Sequence, residues 1–63
     1  MNYVELVQRQ AEQVFGNKKK ADLWLNQPKT EFGGSTALKH ADSEAGYLKV
    51  KDTLERIRHG YPF

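Results

Sequence analysis

Residues 43–60 read SEAGYLKVKDTLERIRHG, and the spacing of their apolar side chains decides the fold. At about 100° per residue, Tyr47, Val50, Leu54 and Ile57 fall on one narrow face of a helix, with Gly46 at its margin. That face belongs in a core. Asp42 or Ser43 is placed to cap the start, and Gly60 to end the helix by taking the left-handed conformation. Leu48 lies on the far side among Lys51, Asp52 and Glu55, either as an ordinary exposed leucine or as part of a contact surface. Gly46 falls within the first turn, where glycine costs about 1 kcal/mol relative to alanine. A close approach by another stretch of backbone would account for it.

The same period continues toward the N-terminus. In NYVELVQRQAEQVFG (residues 2–16), Tyr3, Leu6, Val7, Ala11, Val14 and Phe15 repeat with helical spacing. Asn2 with Glu5 forms a loose capping box and Gly16 a stop, which predicts a helix from Tyr3 to Phe15. Asn17 caps a second helix, from Lys18 to Gln27, whose stripe of Ala21, Trp24 and Leu25 places Trp24 in the core. Pro28 forbids its continuation. PKTEFGGSTALKHA (residues 28–41) then reads as a loop with Phe32 turned inward, followed by a turn or two of helix capped by Ser35 or Thr36 and holding Leu38 and Ala41. Its glycine pair fits neither of the two phosphate-binding glycine fingerprints and reads as a structural turn. The expected architecture is all-α: a small single-domain bundle of about four helices spanning 1–63.

With 63 residues, the chain buries only about 60% of its unfolded surface, so the core is thin and help from a partner is physically reasonable. No cysteine is present, which excludes disulfides and thiolate metal sites and fits a reducing cytoplasm. No run approaches the roughly 20 apolar residues of a membrane span. Ten basic against eight acidic residues leave a formal charge of +2 spread along the chain. Lys18, Lys19 and Lys20 form the densest cluster and read as a solvated helix face.

Catalysis needs a nucleophile beside a base, or paired carboxylates, and neither pattern occurs. His40 and His59 lie on different elements without metal-ligand spacing and read as surface histidines. Glu5, Asp52 and Glu55 each have a basic residue three or four positions on, the pattern of exposed helix pairs. The sequence therefore points to a binding module with no cofactor, no metal and no catalysis.

Along the chain come VFG with Asn17, the WL and Pro28 of KADLWLNQP, FGGST with Leu38, EAG with Val50, LERI and HG. In that order and at that spacing, from about Ala11 to Gly60, the chain resembles the toxin-binding domain of the Xre/MbcA/ParS antitoxin family. The resemblance implies an antitoxin that sequesters a RES-domain toxin, an enzyme that destroys cellular NAD. It further implies that the C-terminal helix and tail lie against the toxin and obstruct its NAD pocket. On that basis Leu48, Lys51, Glu55, Arg58, His59, Gly60, Tyr61, Pro62 and Phe63 are the expected toxin contacts. The apolar tail after Gly60 would be buried in the partner; alternatively, Tyr61 folds back onto the first helix.

Two departures from the family pattern stand out. Ala37 occupies the place where proline is common after the threonine of the glycine loop, and Ser35 the place where arginine is frequent. Many members also carry an N-terminal helix-turn-helix, and the sequence offers no recognition helix. The expectation is a domain without specific DNA binding of its own, either a stand-alone antitoxin or a fragment or degenerate member that borrows DNA binding from elsewhere. A homodimer is left open by the sequence. The competing reading, a small nucleic-acid-binding or transcription-regulator accessory module, would rest on the lysine triplet together with Arg9, Arg56 and Arg58 on one surface.

Overall fold

The computed structural model describes residues 2–60. In chain order its elements are α1 (Tyr3–Phe15), α2 (Lys18–Leu25), a 3-10 turn (Thr30–Phe32), α3 (Ala37–His40) and α4 (Glu44–Arg58), and no strand occurs among the described residues. Each α-helix starts on a polar side chain that accepts from a backbone N–H three residues on. Asn2 accepts from Glu5 (3.1 Å), Asn17 from Lys20 (3.0 Å), Thr36 from Lys39 (3.2 Å) and Ser43 from Gly46 (3.2 Å). These caps satisfy donors that have no partner inside the helix, and they fix where each helix can begin. At α1 the box closes from one side only, because the Glu5 carboxylate engages Arg9 at 3.0 Å.

α2 ends at Leu25 rather than at Gln27. Pro28 disfavours a helical backbone at the residue before it, and the chain leaves the helix with the Asn26 side-chain amide donating to the Asp22 carbonyl at 2.8 Å. The segment expected as plain loop contains the 3-10 turn. It is closed by backbone bonds, Gly34 N–H to the Lys29 carbonyl (2.9 Å) and Lys29 N–H to the Ser35 carbonyl (3.1 Å). Gly33 and Gly34 take φ of 65° and 87°, which only glycine adopts without strain, so the pair serves the turn.

α1 is the central element, packing most extensively against both α2 and α4, while α3 touches α2 and α4. Tyr3 stacks on Tyr47 (centroids 5.0 Å) and Gln10 reaches Glu55, so α1 and α4 run in the same direction. The buried apolar residues are Val7, Ala11, Ala21, Leu25, Phe32, Ala37, Ala41, Val50 and Leu54. Four of these nine are alanines, which lets short helices pack closely at the cost of little apolar surface per residue.

On α4 the buried stripe is Gly46, Val50, Thr53 and Leu54. Tyr47 and Ile57, expected on the core face, are only half-buried. Thr53 enters the core because its hydroxyl donates to the Lys49 carbonyl one turn back (2.9 Å) and needs no further partner. Trp24, expected in the core, is half-buried and packs against it. Its ring sits between Phe15 (6.0 Å) and Phe32 (6.2 Å, edge-on), with the Lys29 ammonium 4.9 Å from its centroid. Phe32 does turn inward, and His40 stacks on it at 5.0 Å.

Gly46 explains how α3 and α4 meet. A Cβ at this position would collide with the His40 backbone carbonyl, so the corner between the helices closes only on glycine. This is the close backbone approach that the sequence position suggests.

Candidate functional site: the outer face of α4

With Gly46, Val50, Thr53 and Leu54 committed inward, helical geometry forces Leu48, Lys51, Glu55 and His59 outward along a single stripe. Leu48 is 53% exposed, a large apolar side chain turned away from the core that the other side of the helix joins. Lys51, Arg58, His59 and Gly60 are exposed and Glu55 is half-buried. Gly60 takes φ 71° and ends the helix as expected. Tyr61, Pro62 and Phe63, the remaining expected contacts, lie outside the described residues.

Glu55 organises the C-terminal half of this face. One carboxylate oxygen accepts from the Gln10 side-chain amide at 2.9 Å and lies 3.8 Å from the Arg58 guanidinium, while the other lies 3.6 Å from His59 Nε2. Gln10 also reaches the Lys51 carbonyl at 3.4 Å. Arg56 and Asp52 pair at 3.1 Å beside it. These exposed pairs are worth little individually. Leu48 stands clear of them at the N-terminal end of the face.

Gln10 gave no signal in the sequence, since a glutamine on a helix predicts neither burial nor contact. Leu23 is the other residue missed. It is 59% exposed on α2 and could have been found as Leu48 was, by noting that it falls off the Ala21–Leu25 stripe. Among the described residues no group of three potential ligands could hold a metal. His40 lies against Phe32 and His59 beside Glu55, on separate elements. No helix among them is long and apolar enough to cross a membrane.

Residues 10–60 match the antitoxin Xre/MbcA/ParS C-terminal toxin-binding domain. The chain belongs to that family. The matched range takes in α2, the glycine turn, α3 and α4 whole, together with the second half of α1. A relative, Antitoxin Xre of Pseudomonas putida KT2440, is 39% identical over 51 residues, which cover 81% of this chain and 32% of the relative. The chain thus spans about a third of the length of the curated relative it matches. No solved structure matches. Membership of the family makes this an antitoxin toxin-binding domain, a binding protein rather than an enzyme.

The two departures from the family pattern find a physical reading in the fold. Ala37 is the first residue of α3, where an N–H has no helical partner and proline is tolerated, so alanine and proline suit the same geometry. Thr36 supplies the cap in either case. Ser35 contributes through its backbone, accepting from Lys29 and donating to Phe32.

Proposed function

We propose that this domain neutralises a RES-domain, NAD-degrading toxin in the cytoplasm by laying the outer face of α4 and the residues after it against the toxin, closing off its NAD pocket. The observation that carries this reading is Leu48, half-exposed on a helix whose other side is fully committed to the core, in a chain of an antitoxin family. Lys51, Glu55, Arg58 and His59 would form the polar surround of that contact. Such a ring excludes water from an apolar centre and sets register through charge. Tyr61 and Phe63 supply further apolar surface beyond Gly60, and Pro62 reduces the entropy lost when the tail docks.

The test uses the purified chain and the RES-domain toxin, following NAD loss. The full chain should abolish NAD consumption at stoichiometric amounts. Deleting Tyr61–Phe63 should weaken inhibition by at least tenfold, since each buried ring contributes about 1.5 to 3 kcal/mol and a decade of affinity is about 1.4 kcal/mol. Unfolding of the free chain should change much less. Undiminished NAD loss with the full chain would overturn the reading. Intact inhibition by the truncated chain would remove the tail from it.

A further inference from the structure

α2 presents a second surface that folding does not explain. Its first three residues are Lys18, Lys19 and Lys20, all exposed, and its first turn contains no acidic residue. Cations at a helix N-terminus oppose the helix dipole, and an eight-residue helix has little stability to spare. Among the described residues none of the three lysines has an ion-pair or hydrogen-bond partner through its side chain. Leu23, on the face of α2 turned away from the buried Ala21 and Leu25, is the most exposed large apolar residue among those described. Lys19 precedes it by one helical turn, and Asn26 follows it. Lys18, Lys19, Asp22, Leu23, Asn26 and Gln27 line one open depression along the helix.

We infer that this face of α2 is a second docking surface, fitted to an acidic patch with an apolar centre on the partner toxin. The inference rests on the toxin-binding reading above and adds a contact to it. Charge complementarity supplies the argument for the occupant. Three cations in the first turn disfavour the free helix, and carboxylates on a partner would supply what that turn lacks. Leu23 in the middle of the face favours a protein surface over a phosphate backbone, which would meet an apolar group there. The lysines thus trade stability of the free domain for association.

That trade can be measured on the whole chain. The double variant Lys18→Glu/Lys19→Glu should raise the melting temperature of the free domain by a few degrees and weaken binding to the RES-domain toxin at least tenfold at low salt, with a smaller deficit at high salt. Leu23→Ser should leave the melting temperature nearly unchanged and weaken toxin binding at least threefold at either salt concentration. If the unmodified chain binds toxin and the variants bind equally well, the α2 proposal fails while the α4 reading stands. If the unmodified chain does not bind toxin, both fail. A lowered melting temperature in the double variant would assign the lysines to folding and overturn the proposal. So would binding of a labelled DNA duplex that depends on Lys18 and Lys19 but not on Leu23.

Discussion

The outer faces of α4 and α2 each carry one exposed leucine, and their charges are arranged in opposite ways. On α4, Asp52 is paired with Arg56, and Glu55 faces Arg58 and His59 while accepting from Gln10 of α1. Its acidic Glu44 stands in the first turn and its basic Arg56 and Arg58 in the last, as the helix dipole favours. On α2 the cations stand at the wrong end of the dipole, with no acidic residue in the first turn. The charges along α4 are paired within the free domain, whereas those in the first turn of α2 are not, and α1 packs against both helices.

The comparison breaks most readily at Gly46, because the direction in which α4 presents Leu48 depends on that corner. Gly46→Ala should destabilise the domain by about 3 kcal/mol, at the upper end of overpacking effects, because the obstacle is the His40 backbone rather than a flexible side chain. The sign is informative, since alanine is favoured over glycine by about 1 kcal/mol in an unobstructed helix. Urea unfolding that shows a gain in stability would mean the corner does not close as described.

A smaller effect sharpens the contrast between the charged networks. Glu55→Ala removes the Gln10 hydrogen bond and the contacts to Arg58 and His59, and should cost about 1 kcal/mol, mostly from the half-buried hydrogen bond. A double-mutant cycle with Gln10→Ala should recover most of that as coupling. Zero coupling would show that α1 does not brace this face. On α2, Lys19→Glu should act with the reverse sign, stabilising the free domain by about 0.5 kcal/mol at low salt and less at 1 M salt. Smallest of all, Asp52→Asn should cost about 0.3 kcal/mol by removing one exposed helix pair, a loss that salt should also erase.

Much of this was legible in the sequence because it is local. Asn2, Asn17, Thr36 and Ser43 cap helices through bonds that span three residues, and Gly16 and Gly60 stop helices through their own backbone. Pro28 marked where α2 must stop, although not that the helix would unwind two residues sooner, at Asn26. Gly46 announced a close approach but could not name its partner, since His40 belongs to the preceding helix. The partial exposure of Tyr47 and Ile57 and the burial of Thr53, on which the sequence reading was silent, share one cause. Periodicity gives the direction of a face to within a residue or so, whereas the neighbouring helix decides which residue in that arc is covered. Leu48 could be read from α4 alone, but Gln10 could not be read from α1 alone, because its meaning lies in Glu55, 45 positions away.

The central claim is that the outward face of α4, fixed in place by a core it does not share, is the surface that meets the toxin. Leu48→Asp tests it most directly, because Leu48 is exposed and its replacement leaves the buried stripe untouched. Unfolding of the free variant should stay within about 0.5 kcal/mol of the unmodified chain, while titration against the RES-domain toxin, read as NAD loss, should require at least tenfold more antitoxin. Equal inhibition by Leu48→Asp and the unmodified chain would place the toxin contact elsewhere on the molecule and contradict the account.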